Sequence, residues 1–214
     1  MKEFLPPFFL QNLVWVPTRI FLKFFGHLEI IGLNNLKNLK GKVIFASNHS
    51  SELDPILLPA SFPFLSRFSP VFYTSREKEF YDRHSFLKWF FYREWFFEIW
   101  GAHRILVGKH DYEKSLKKHR EILNRDGTLF IFPEGQKTID GNLLLAHGGA
   151  TYLARVTGAP IVPVSIKGVF NIKLSDFLLR RARIKITFDI PVVPLTDDYK
   201  AEAQKIMNII AKNL

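Results

Sequence analysis

Short apolar runs rich in Val, Ile, Phe and Thr alternate along this chain with stretches whose apolar positions recur at helical spacing. The pattern predicts strands at 27–32, 42–47, 71–74, 103–107, 128–132, 161–166 and 183–189. It predicts helices over 55–60, 85–99, 112–124, 149–157 and 197–212. Gly158 stands where a helix C-terminal glycine belongs, just ahead of Ala159 and Pro160. Residues 124–127 read as a turn. Strand–helix alternation at this spacing predicts an α/β fold, with a largely parallel sheet flanked by helices. The chain shows no internal repeat and no long linker.

Two aromatic blocks interrupt this regularity. Residues 4–25 mix Phe, Leu and Trp with Arg19 and Lys23 and are broken by Pro6, Pro7 and Pro17. That is too interrupted for a spanning helix, which needs about 18 or more uncharged apolar residues. It reads as one or two helices lying in the headgroup zone of a membrane; the alternative is a core hairpin. Residues 1–26 are therefore set apart as an N-terminal membrane-interface helical motif, with residues 27–214 as the α/β domain. The second block, 80–100, is apolar nearly all round. It is either a core helix or the wall of an acyl-chain groove.

Composition narrows the class. The 214 residues carry a formal charge of +10 and include 22 Phe, which together suit a basic protein at a lipid surface. The absence of cysteine excludes a disulfide framework, a thiolate metal site and a cysteine nucleophile. The aromatics cluster in apolar blocks and are not interleaved with Lys and Arg, so nucleic acid is not the expected partner. His-Glu-x-x-His and Gly-x-Ser-x-Gly are both absent, so neither a zinc hydrolase nor a serine hydrolase of those types is expected, and no metal site is foreseen. Arg180, Arg181, Arg183 and Lys185 form a basic cluster, read either as a solvated face or as a contact with an anionic leaflet.

Ligands of open α/β sheets bind outside the carboxyl ends of the strands. Two predicted strands end in polar text: one runs into Asn48, His49, Ser50, Ser51, Glu52, Leu53 and Asp54, the other into Pro133, Glu134, Gly135, Gln136 and Lys137. If the two strands are parallel neighbours, the texts share one rim. On a straight strand an odd offset puts His49 and Asp54 on opposite faces, and on a straight helix five steps rotate by about 140°. They can meet only across a turn. Asp54-Pro55 supplies one, with Asp54 at the N-cap and Pro55 at the first helical position. A carboxylate gripping one ring nitrogen leaves the other as a base. The alternatives are a plain cap and a satisfied turn histidine. Glu134 is expected at the rim and not deep, Gly135 allows a close backbone approach, and Lys137 is placed to meet an anionic headgroup or to serve as an ordinary loop lysine.

Together these texts resemble the glycerophospholipid acyltransferase family, best known for its 1-acyl-sn-glycerol-3-phosphate acyltransferases. Asn48, His49 and Asp54 match its N-H-x-x-x-x-D block, and Phe132, Pro133, Glu134 and Gly135 match its F-P-E-G block. Residues 101–109 resemble its second block, and Pro160, Ile161, Val162 and Pro163 its fourth. The resemblance implies His49 as general base and Asp54 as its orienting partner. It implies Glu134 and Gly135 in the acceptor site and Arg104 or Lys109, with Arg104 preferred, as a phosphate ligand. The family often follows the third block with Thr-Arg-Ser, where this chain has Gln136, Lys137 and Thr138. Lys137 keeps the charge without the bidentate fork.

The implied activity is transfer of a fatty acyl group from an acyl-CoA or acyl carrier protein thioester to a lysophospholipid hydroxyl, with lysophosphatidic acid the first expectation and another lyso-lipid or polar lipid the second. A rival of a different class is a non-catalytic peripheral membrane protein keeping the fold. No cofactor beyond the donor substrate is implied. The expected location is the cytoplasmic face of a membrane, peripheral or monotopic.

Overall fold

The computed structural model describes residues 3–75, 98–105 and 111–214. Among these residues seven strands form one sheet: β1 (Glu29–Ile31), β2 (Val43–Ser47), β3 (Val71–Ser75), β4 (Ala102–Arg104), β5 (Thr128–Ile131), β6 (Ile161–Lys167) and β7 (Lys185–Phe188). Their order is β1-β7-β6-β2-β5-β3-β4. Every neighbouring pair is parallel except β6 and β7, which run antiparallel. The sheet is thus largely parallel as predicted, with its β7-β1 edge reversed.

β2 is central and wholly buried, as expected of a strand covered on both faces. Its side chains alternate: Val43 and Phe45 join one core, Ile44 and Ala46 the other. The first core lies under α1 (Leu5–Phe25) and α2 (Asp54–Ser61) and takes in Leu22, Leu57, Leu58 and Phe62. The second is covered by α4 (Lys117–Asn124), α5 (Gly149–Thr157) and α7 (Tyr199–Ala211) through Ile122, Leu153, Ile206 and Ile210. α5 has the predicted limits, and Gly158 closes it in the left-handed conformation at φ 70° with its N–H on Ala154.

The single helix predicted over 112–124 is split into α3 (Tyr112–Ser115) and α4. Leu116 leaves the helical backbone region at φ −113°, ψ 14° and is buried in the second core. The 3₁₀ turn Leu33–Leu36 and the short α6 (Leu174–Leu178) lie outside the predicted elements.

The N-terminal block is one helix, α1, laid across the sheet face. The Gln11 amide accepts from Val71 N–H at 2.9 Å and donates to Val71 C=O at 2.7 Å, satisfying both backbone polar groups of the first residue of β3. Trp15 donates to Phe62 C=O at 3.1 Å and Arg19 to Ala60 C=O at 2.7 Å, tying α1 to the end of α2. Its outer face exposes Leu5, Phe9, Leu13, Val16, Ile20 and Phe24 in one stripe at helical spacing. Among the described residues no helix is long and apolar enough to cross a membrane. The predicted helix 85–99 and aromatic block 80–100 lie outside the described residues up to residue 97.

Candidate active site at the carboxyl rim of the sheet

β2 and β5 are hydrogen-bonded parallel neighbours with Ala46 opposite Ile131, so the polar texts that follow them emerge side by side. Asn48 fixes the exit from β2. Its side chain donates to Ile166 C=O at 2.9 Å and accepts from Ile166 N–H at 2.8 Å, acting as one more rung between β2 and β6. His49 follows, its ring stacked on Phe132 at 4.0 Å between centroids and 13° between planes.

Asp54 turns back to meet it. Its Oδ2 lies 2.9 Å from His49 Nδ1 and also accepts the backbone N–H groups of Ser50 at 2.7 Å and Ser51 at 2.8 Å. A carboxylate can only accept, so Nδ1–H is the donor of this pair, which in the neutral ring leaves Nε2 with the lone pair. The expected N-cap geometry is corrected here. Leu53 is the capping residue and Asp54 the first residue of α2. The carboxylate faces backward over the turn because three donors converge there. Tyr73 pins that first turn by donating its hydroxyl to Pro55 C=O at 3.0 Å. Burial pushes its phenol well above the ordinary range, so the donor is retained. Asp54 is fully buried, while the His49 side chain keeps 18% of its surface open.

Glu134 stands at the rim but is buried at 2% exposure, against the expectation of a shallow position. Its Oε1 accepts His49 N–H and its Oε2 accepts Leu144 N–H, both at 2.7 Å. The loop after Gly135 folds back over it to supply the second donor. Burial raises its carboxyl above the usual range, opposed by the N–H groups of Leu144 and His49. Thr138 N–H donates to His49 C=O at 2.9 Å, so the catalytic candidate is held through its own amide and carbonyl. Gly135 adopts φ 66°, and a Cβ there would stand 3.0 Å from His147 Cδ2, which explains the need for glycine at this turn.

Lys137 pairs with Glu52 at 2.8 Å, an exposed bridge across the mouth of the His49 turn. Arg104 ends β4 on the same rim, opposite Ser75, two strand spacings or about 10 Å across the sheet from β5. Lys109 lies outside the described residues. The structure thus brings His49, Asp54, Glu134, Gly135 and Lys137 together and leaves Arg104 to the side. Pro160 stands just ahead of β6, and Ile161, Val162 and Pro163 form its start and enter the core, with Pro163 opposite Ala46. Phe132, Leu144 and His147 also shape the site, through the ring stacked on His49, the N–H on Glu134 and the contact at Gly135. Only Phe132 had a signal, as part of the F-P-E-G text. Among the described residues no group of three or more His, Asp or Glu is arranged to hold a metal ion.

Fold and site define an α/β protein whose candidate catalytic side chains stand outside the carboxyl ends of two adjacent parallel strands. The chain belongs to the acyltransferase family, whose model matches residues 27–167, more than half of its length and the whole of the His49–Glu134 constellation. It is 24% identical over 202 residues to a chloroplastic 1-acyl-sn-glycerol-3-phosphate acyltransferase of Brassica napus, covering 87% of this chain and 53% of the relative. With a chloroplastic 1-acyl-sn-glycerol-3-phosphate acyltransferase of Arabidopsis thaliana it shares 25% identity over 178 residues, 78% of this chain and 44% of the relative. The chain therefore spans about half the length of these curated relatives. The crystal structure of the 1-acyl-sn-glycerophosphate (LPA) acyltransferase PlsC from Thermotoga maritima superposes with a TM-score of 0.64 at 18% identity, over 95% of this chain and 79% of that one, and shares its fold.

Proposed function

We infer that this protein transfers a fatty acyl group from an acyl-CoA or acyl carrier protein thioester to the free hydroxyl of a lysophospholipid, with lysophosphatidic acid as the acceptor and phosphatidic acid as the product. The observation that carries the reading is the 2.9 Å contact of His49 Nδ1 with an Asp54 oxygen already fixed by two backbone N–H groups. The acyltransferase relatives named above support the reaction class.

In this reading His49 Nε2 takes the acceptor's hydroxyl proton as its oxygen attacks the thioester carbonyl. The tetrahedral oxyanion collapses, the carbon–sulfur bond breaks, and the imidazolium returns its proton to the leaving thiolate. Asp54 offsets the positive charge on the ring in between. General-base assistance of this kind is worth about 10²–10⁴ in rate. Lys137 exchanges Glu52 for the acceptor's phosphate, and Arg104 approaches the same phosphate from the far strand, with Lys109 as the alternative ligand. A different lyso-lipid acceptor is the second reading, favoured by Lys137, which lacks the fork that matches a phosphate. The outward stripe of α1 supports peripheral attachment to a membrane.

The deciding experiment presents purified protein with labelled acyl-CoA or acyl carrier protein and a panel of lyso-lipids in vesicles, alongside His49→Ala. The expected result is acyl transfer to lysophosphatidic acid by the wild type and its loss in the variant with vesicle binding unchanged. Equal turnover by both proteins removes His49 from the mechanism.

A further inference from the structure

The connection from β6 to β7 stands on the active-site rim, because Lys167 at the end of β6 pairs with Lys185 at the start of β7. Its inner side is anchored. Val169, Phe177, Ala182 and Ile184 are buried in the first core, and the Phe177 ring lies 5.2 Å from that of Phe21 on α1. Ile184 N–H donates to Gly26 C=O at 2.9 Å, and Lys173 N–H is capped by Asp176 at 2.8 Å. The segment is therefore built, and what it points outward is part of the fold. Leu174, Leu178 and Leu179 are 67%, 63% and 59% exposed. Lys173, Arg180, Arg181 and Arg183 surround them, all exposed.

We propose that α6 and the residues after it, 173–183, are a second membrane-docking element, which seats the active-site rim on an anionic bilayer leaflet. Leucines enter the acyl-chain boundary while arginine forks take lipid phosphates. Nucleic acid would meet the arginines but leave the leucines in water. A second copy of this chain would bring its own charge of +10 against the same basic patch. The segment adjoins α1, since Phe21 and Phe25, both exposed, pack ring against ring at 5.2 Å and Phe21 in turn lies 5.2 Å from the buried Phe177. A leaflet touching α1 along its stripe and α6 at the rim faces the mouth above His49. The inference rests on the reading of the protein as an enzyme of membrane lipids, but its fluorescence readout needs no turnover.

Because the chain has no cysteine, one can be placed at will. Leu178→Cys carries a polarity-sensitive fluorophore, and Ile190→Cys, exposed beyond the opposite end of β7, serves as the reference. With full-length protein and phosphatidylcholine vesicles containing phosphatidylglycerol, emission from position 178 is expected to shift to the blue and that from 190 to stay unchanged. Arg180→Gln/Arg181→Gln is expected to weaken partitioning by about thirtyfold, and added salt to reproduce much of that loss. Turnover of a water-soluble short-chain acceptor by this double variant is expected to equal wild type. A probe at 178 that stays in water on bound protein overturns the proposal, as does a blue shift that appears without vesicles and tracks a doubling of mass by light scattering. Absence of acyl transfer by the wild type, with the shift at 178 intact, would sink the catalytic reading and leave the docking element standing.

Discussion

The carboxylate of Glu134 accepts the backbone N–H of His49 at 2.7 Å, joining residues 85 positions apart, and its second oxygen is taken by Leu144 N–H. Both oxygens serve the frame that carries the imidazole. Glu134→Gln keeps one acceptor and turns an amide NH₂ toward the other donor, leaving a buried N–H unmet. The expected effect is a fall in kcat of roughly ten- to hundredfold with KM for both substrates little changed. Steady-state kinetics with donor and acceptor varied separately checks this. A rise confined to the acceptor's KM would instead put Glu134 in contact with substrate.

Asp54→Asn keeps the shape of the side chain and removes its charge. Asparagine can turn an NH₂ toward Nδ1, which favours the tautomer with its proton on Nε2 and blocks the base. Expected is a loss of roughly 10³–10⁴ in kcat with vesicle binding retained. Retention of more than a tenth of wild-type kcat would show that the pair does not set the tautomer.

Asn48 is buried and satisfies both polar groups of the Ile166 peptide positions it faces. Asn48→Ala leaves one donor and one acceptor unpaired in the core, a cost of about 2–4 kcal/mol. Asn48→Asp can still accept but cannot donate, and is expected to destabilise as well. Urea unfolding of the three proteins at neutral pH measures this, and midpoints within error of each other would remove the clamp.

His119 predicts an acid-sensitive stability. Burial, reinforced by the nearby His103, lowers it from 6.5 to about 4, while its Nε2–H donates to His103 C=O at 3.2 Å. His103 is itself lowered by burial and by Lys118, with Glu3 acting in the opposite direction. A lowered folded value means the neutral ring favours the fold. Its contribution is complete above the unfolded value near 6.5 and is lost as pH falls toward 4. The shift corresponds to about 3 kcal/mol. His119→Gln is expected to flatten the stability–pH curve between those limits. A curve as steep as wild type over that window would assign the acid sensitivity elsewhere.

Much of this architecture is readable before any coordinates. Short continuous apolar runs, such as Val43–Ser47, mark strands wherever the chain is buried on both faces. Glycine at 158 marks the end of α5 because few other residues accept a positive φ. That His49 and Asp54 can meet only across a turn follows from a five-residue offset that neither a strand nor a helix can bring to one side.

Other features needed the tertiary structure, for a physical reason. Periodicity reports which face a segment buries, but not the direction of its neighbour, so the reversal of β7 against β6 is invisible in it. The donors that turn Asp54 backward are backbone N–H groups, which every residue but proline carries and no side-chain pattern reveals. Strand order alone sets β5 beside β2 and β6 beside β2, and with them Glu134 against His49 and Asn48 against Ile166. The sequence by itself determined which residues are the candidates for the chemistry; long-range strand pairing decided which backbone groups hold those residues still.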